Sequence, residues 1–221
     1  CKRHGTKLVF FDNTYMYPQN DKLLTEESPF APVGKKGVVR KEIAEMLLKE
    51  MAAKQIEAVI CRAPEFYGTG KTQSITNTFI FDSIRQHKKL QEPLRDDTLR
   101  TLIWTPDSSI ATALIGNTLD AYGQTWHLPC DDNRLTYRQF IALVSEIYGR
   151  NLPYTVIPKI ALRIGAIFSK KAEEILELLP RYEHDNLFDS SKFKKRFPHF
   201  AVTTFKEGIK EIRDEQKAQN R

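Results

Sequence analysis

The chain has 221 residues, 41% of them hydrophobic and including thirteen Phe and eight Tyr, which supports one well-buried domain or two small ones and excludes wholesale disorder. No run approaches the roughly 18 consecutive apolar residues of a spanning helix, so no membrane partner is expected. The three cysteines (Cys1, Cys61, Cys130) are odd in number and outside any C-x-x-C spacing, so neither a disulfide framework nor a zinc site is expected and a cytoplasmic location is. The net charge of +6 gathers in residues 191–221, where six Lys and three Arg face three Glu and one Asp. No nucleic-acid motif accompanies it, and the charge reads as a solvated helix face and tail.

The chain opens on Cys1, and a polar leader over residues 2–7 runs directly into Leu8-Val9-Phe10-Phe11. A strand with no helix or turn before it reads as the inside of a domain, so part of the fold is expected upstream. These four residues are apolar on both alternating faces, as in an interior strand of a parallel sheet. Residues 13–32 read as loop, punctuated by Pro18, Asn20, Asp21, Pro29 and Pro32. A helix follows Gly34 and Gly37 and runs to about Lys54, with Val39, Ile43, Met46, Leu47 and Met51 assigned to its core face. Ala58-Val59-Ile60-Cys61 is a second short strand, and the spacing makes a right-handed βαβ crossover.

Beyond Gly70, Ile75, Phe79, Ile80 and Ile84 predict a helix, and residues 88–100 a charged link. Thr101-Leu102-Ile103-Trp104 is a strand, and Pro106-Asp107 opens a helix to about Asp120. Trp126-His127-Leu128 is a third parallel strand, with His127 expected to be a packed core histidine. A helix over 136–148 is capped by Thr136 and closed by Gly149.

Gly68-Thr69-Gly70-Lys71-Thr72 is half of a phosphate-binding loop. G-x-x-x-x-G-K-[ST] would need its first glycine where Glu65 stands, and Pro64 removes a backbone donor beside it. A P-loop-like NTPase is therefore only a third reading.

A longer succession carries more. Val9 to Tyr17 (Val-Phe-Phe-Asp-Asn-Thr-Tyr-Met-Tyr) ends the first strand. Then come Pro29-Phe30-Ala31-Pro32, Lys36-Gly37-Val38-Val39-Arg40, Arg62-Ala63-Pro64-Glu65-Phe66-Tyr67-Gly68, and Arg100 to Asp107 (Arg-Thr-Leu-Ile-Trp-Thr-Pro-Asp). In order and spacing this resembles the extended, atypical short-chain dehydrogenase/reductase superfamily, in its NAD-dependent epimerase/dehydratase branch. The resemblance covers most of the chain to Gly149 and fades afterwards.

The resemblance implies an α/β fold, the C-terminal part of a Rossmann-like doubly wound parallel sheet with a smaller α/β substrate-side lobe. The implied divisions are 1–70 (second half of the dinucleotide domain), 71–106 (an excursion into the substrate lobe), 107–130 (the last helix and strand of the sheet) and 131–221 (the substrate lobe and basic tail). None of the ten glycines forms the Gly-rich turn that holds a pyrophosphate. The main binding turn for NAD or NADP is thus expected upstream of Cys1. The strands present would be the fifth, sixth and seventh, over 7–11, 57–62 and 125–128. The first would have no in-chain partner on its outer side.

The implied chemistry is hydride transfer on a sugar-nucleotide or small polar alcohol or carbonyl substrate, with a degenerate catalytic set. Asn13 falls at the Ser/Thr position, Lys36 at the tyrosine and Arg40 at the lysine. Arg40 can still hold ribose hydroxyls but cannot shuttle a proton. Lys36 lies one helical turn from Arg40, and like charge with burial would favour its neutral, proton-accepting form. Tyr15, Tyr17 and Tyr67 are alternative donors. Ala63 and Pro64 are expected beside the nicotinamide. Glu65, Tyr67, Asn77 and Arg100 are expected to meet substrate, although a carboxylate at Glu65 argues against an anionic ligand. Asp107 is equally suited to cap a helix. A homodimer is allowed for, and a dinucleotide-binding regulator without turnover is the alternative of a different class.

Overall fold

A computed structural model describes residues 1–168 and 176–219. In chain order the strands are β1 (Leu8–Asp12), β2 (Ala58–Arg62), β3 (Glu65–Tyr67), β4 (Leu90–Pro93), β5 (Leu99–Arg100), β6 (Leu102–Trp104), β7 (Thr125–His127), β8 (Leu135–Thr136) and β9 (Tyr154–Ile157). The helices that matter below are α1 (Gly34–Ala52), α2 (Asp82–Arg85), α3 (Thr105–Gly116) and α4 (Tyr137–Tyr148), with a C-terminal helix over Phe205–Gln219.

The centre is a parallel sheet ordered β1-β2-β7. Leu8 pairs with Ala58 and Asp12 with Arg62; Ile60 pairs with Thr125 and Arg62 with His127. Among the described residues nothing pairs with the outer edge of β1. Strand alternation divides the side chains between two covering helices. Leu8, Phe10, Ala58 and Ile60 pack with Leu47 and Met51 of α1. Val9, Val59 and Cys61 pack with Ala111 and Ile115 of α3. All five residues of β2 are buried, and Val59 and Ile60 each contribute about 1.5–3 kcal/mol of transfer free energy. At the edge, Phe11 remains 43% exposed, so β1 is less enclosed than an interior strand.

The core face of α1 is the expected one at Ile43, Leu47 and Met51 but not at Val39 and Met46. Gly37, Ala44, Leu47 and Met51 are buried, whereas Val39 is 51% and Met46 59% exposed. Small residues face inward because the helix lies close to its neighbours: a Cβ on Gly37 would meet the Tyr15 carbonyl oxygen at 2.7 Å.

A second core forms around α4. The capping box between Thr136 and Gln139 starts this helix, and Gly149 at φ 64° ends it. Phe140, Ile141, Val144 and Ile147 pack against Phe205, Ile209 and Ile212 of the C-terminal helix, together with Tyr67, Phe81 and Trp104. Strand β6, paired in parallel with β3, joins the two cores: Ile103 belongs to the first and Leu102 and Trp104 to the second.

Three local expectations are corrected. Residues 88–100 are not a plain link. They hold β4, parallel to β9, and β5, antiparallel to β8, ladders hidden because polar residues interrupt the apolar pattern. The helix after Ser74 starts as a π turn over Asn77–Phe81 before α2. Asp107 does not cap α3; it accepts from Thr203 N–H at 2.7 Å and Thr203 Oγ1 at 2.9 Å.

The basic cluster of the tail is occupied by local partners. Lys192 donates to the Thr125 carbonyl and lies over Trp126, Lys194 pairs with Asp132, and Arg196 with Asp120. The last two residues of the tail lie outside the described ones. No helix among the described residues is long and apolar enough to cross a membrane.

Candidate functional site

The carboxyl ends of parallel strands are where open α/β sheets bind ligands, and there the structure has a cleft of about 660 Å³. Asn13, just past β1, and Lys36, in the first turn of α1, share it with Pro64, Glu65 and Phe66 after β2. The opposite wall is Gly70 to Ile75 with Thr78, Phe79, Asp82 and Arg85, and Leu178, Arg181 and Tyr182 close it.

Asn13 is positioned by its own turn. Its N–H donates to Asp12 Oδ1, and its Oδ1 accepts from Tyr15 N–H, each at 2.9 Å. This Asx-type turn leaves the amide NH₂ as the donor Asn13 can offer. The start of α1 is met by Glu177, whose Oε1 accepts from Lys36 N–H at 2.5 Å, so an internal carboxylate satisfies an orphan helix donor. Arg40 does not line the cleft. It points to Asp12, 3.8 Å away, with 38% of its side chain exposed.

Glu65 forms the floor. Its carboxylate accepts from Arg100 Nη2 at 2.8 Å, Tyr137 OH at 3.2 Å, and the hydroxyl of Tyr182. Burial alone would raise its pKa, but Arg100, Arg181 and the Tyr182 hydrogen bond outweigh that and hold it below the usual carboxylate range. Arg100 compensates the Glu65 charge from behind. Asp82 is likewise paired, with Arg85 at 2.7 Å. Lys36, Lys71, Arg85 and Arg181 outnumber these two carboxylates, so the wall is cationic.

Several sequence-derived candidates serve the scaffold instead. Tyr67 is 1% exposed and packs against Trp104, Phe140 and Phe205. Asn77 clamps Gly68, accepting its N–H at 3.1 Å and donating to its carbonyl at 2.7 Å. Arg100 is enclosed, bound to Glu65 and to the Arg181 carbonyl, and Ala63 is fully buried. Burial moves these four away from the cleft surface. Lys71 entered the sequence reading only through the half phosphate-loop motif, and Arg85 and Arg181 not at all, since single charged residues in one-turn helices carry no periodicity to reveal them.

Loop 68–72 is not a phosphate cradle. Gly70 N–H is taken by both carboxylate oxygens of Glu215, at 3.1 and 2.9 Å, and Thr72 donates to the Thr69 carbonyl. A P-loop needs those groups for a nucleotide.

Beneath the floor runs a second polar chain. Arg62 donates to Tyr17 OH at 2.7 Å, and that hydroxyl lies 2.8 Å from His127 Nε2. His127 Nδ1 is 2.8 Å from the Asp189 carbonyl, and its ring stacks on Phe188. Burial pushes the imidazole pKa down to about 3. His127 is thus a neutral, enclosed core histidine.

No family model matches the sequence, and no curated protein does. Solved structures do. UDP-glucuronic acid 4-epimerase from Bacillus cereus superposes with a TM-score of 0.75 at 13% identity, covering 100% of this chain and 65% of that one. The chain has the fold of the NAD-dependent epimerases and dehydratases. Thermus thermophilus UDP-glucose 4-epimerase gives 0.74 at 15% identity, over 98% of this chain and 66% of that one. For dTDP-glucose 4,6-dehydratase from Bacillus anthracis the values are 0.71 and 16%, over 97% and 62%. The chain thus spans about two thirds of the length of these proteins, and its β1-β2-β7 sheet is a Rossmann-like doubly wound α/β sheet.

Proposed function

We propose that this chain forms the substrate side and nicotinamide end of an NAD(P)-dependent oxidoreductase of the epimerase/dehydratase kind, acting on a sugar-nucleotide or small polar alcohol or carbonyl substrate. The observation that carries the reading is the cationic cleft at the carboxyl ends of the parallel strands, with Asn13 and Lys36 beside Pro64 and Phe66. Solved proteins of the same fold were crystallised with NAD.

The donor set fits the nicotinamide–ribose end of a dinucleotide. Lys36 offers a cation for ribose hydroxyls, while Phe66 supplies an apolar wall. When bound, the dinucleotide supplies hydride acceptance and donation. Asn13 would polarise a substrate carbonyl through its amide, and Lys36 or a neighbouring tyrosine would move the proton. Lys71, Arg85 and Arg181 would hold an anionic substrate group. Association into a homodimer belongs to the same reading.

A dinucleotide-binding regulator without turnover is the second reading. What favours it is Arg40, drawn to Asp12 rather than into the cleft. Nicotinamide fluorescence on the full-length protein separates the two. Binding of NAD or NADP followed by nicotinamide reduction on a panel of sugars and nucleotide sugars supports the enzyme. Binding without turnover supports the regulator, and no binding overturns both.

A further inference from the structure

Hydride transfer at an alcohol carbon needs a group that takes up and returns the hydroxyl proton. The helical position aligned with the family's tyrosine holds Lys36, so the phenol has to come from elsewhere or be absent. We infer that Tyr15, from the turn after β1, is the proton-transfer residue of this cleft, with Lys36 as the neighbouring cation. The inference rests on the enzymatic reading above and assigns its proton step.

Burial first narrows the choice among the tyrosines near the site. Tyr17 is 1% exposed, and its hydroxyl is held between Arg62 and His127. Tyr67 sits in the aromatic core. Tyr137 and Tyr182 donate to the Glu65 carboxylate, and a phenol spent on a buried carboxylate has no proton to lend. Tyr15 differs from all four: it is half-buried, lines the cleft, and its hydroxyl makes no hydrogen bond among the described residues.

Its placement is also built. Thr14, Met16 and Tyr17 turn inward and are buried, while Asn13 and Tyr15 face the cleft. The Asn13 side chain accepts Tyr15 N–H at 2.9 Å and fixes the turn. On the far side, the Tyr15 carbonyl abuts α1 where only a glycine fits, at Gly37. That contact sets Tyr15 beside the helical turn bearing Lys36. Finally, the Arg181 guanidinium lies 4.8 Å from the Tyr15 ring centroid and donates to Thr14 Oγ1 at 3.0 Å. A cation on the ring face holds its orientation.

In the oxidation direction, the substrate C–H bond breaks as hydride passes to the oxidised nicotinamide. The hydroxyl O–H breaks as its proton passes to the Tyr15 phenolate, leaving a carbonyl, reduced nicotinamide and a neutral phenol. Reduction runs the same transfers backwards, so atoms and electrons balance with the dinucleotide as the only co-reactant.

The test compares wild type, Tyr15→Phe and Lys36→Ala in the full-length protein, with NAD as cofactor and UDP-glucose as probe. Tyr15→Phe should lower single-turnover reduction of NAD about 100-fold or more, the usual scale for losing a general acid–base, with the Kd for NAD within a few-fold. A second readout is independent of turnover: proton release on NAD binding, measured by calorimetry in two buffers of different ionisation enthalpy. Wild type should release a proton fraction at alkaline pH that Tyr15→Phe does not, and Lys36→Ala, which removes the neighbouring cation, should release less than wild type at the same pH. Equal release from wild type and Tyr15→Phe, or a Tyr15→Phe rate within about three-fold of wild type, overturns the assignment to Tyr15 while leaving the enzymatic reading standing. Wild type that binds NAD without reducing it, on UDP-glucose and on the whole panel of sugars and nucleotide sugars, overturns the enzymatic reading and this inference with it.

Discussion

Arg100 Nη2 and Glu65 Oε2 lie 2.8 Å apart with side chains 1% and 9% exposed, so the carboxylate under the cleft is neutralised from the protein interior. Removing the cation would leave an uncompensated buried charge. Arg100→Met is therefore expected to cost about 3–5 kcal/mol in urea unfolding, and Glu65→Gln a comparable amount, because it leaves the buried Arg100 guanidinium without its counter-ion. The pair also sets an acid limit. Glu65 has a depressed folded pKa, so its stabilisation is present above the unfolded value of about 4.3 and is lost as pH falls through the folded value. Glu65→Gln should flatten that acid-side loss, and an unchanged profile would show that the ion pair is not responsible.

Glu92 behaves in the opposite sense. It is 1% exposed, its Oε1 has no hydrogen-bond partner, and burial with the nearby Glu65 charge raises its pKa well above the normal value despite Arg100. The folded state keeps a proton that the unfolded chain releases, so stability falls as pH rises from about 4.3 towards the folded value. Glu92→Gln should therefore leave stability unchanged in acid and raise it at neutral and alkaline pH. Urea midpoints measured across that range check it, and a loss of stability at neutral pH would contradict a protonated Glu92.

The polar chain at His127 makes a spectroscopic prediction. Arg62 can only donate, so Tyr17 OH accepts from it and donates onward to His127 Nε2, leaving the proton on Nδ1 facing the Asp189 carbonyl. Nitrogen NMR should show the neutral Nδ1–H tautomer, unchanged until pH approaches 3. Because the unfolded histidine takes its proton near 6.5, stability should fall by about 1.4 kcal/mol per pH unit below that. Titration of this ring near 6.5 in the folded protein would refute the assignment.

Helix α1 offers a packing test. Val39→Lys and Met46→Lys lie on its exposed side and should change stability by less than about 0.5 kcal/mol. Ala44→Leu inserts bulk at a fully buried position and should cost about 1–3 kcal/mol. The opposite ranking in thermal unfolding would place Val39 and Met46, rather than Ala44, on the core face.

Parallel strands at β1, β2 and β7, the crossover through α1 and the caps of α4 were legible in the amino-acid order, because each depends on short-range pattern. Apolar runs of four residues, turn punctuation, a threonine cap and a terminal glycine act over a few positions. Asn13, Lys36 and Pro64, singled out in the sequence, share one cleft where those strands end. Three-dimensional packing decided the rest. Which face of α1 turns inward depends on how closely a neighbouring loop approaches Gly37, and hydrophobicity along the helix does not carry that distance. Whether Glu65 repels or tolerates an anion depends on Arg100, 35 positions away, and on two tyrosines further still. Tyr15, Tyr17 and Tyr67 are chemically alike in sequence. Only burial, which sends Tyr17 to a histidine and Tyr67 into an aromatic core, leaves Tyr15 at the cleft, because desolvation and competing partners are properties of the folded neighbourhood rather than of the residue.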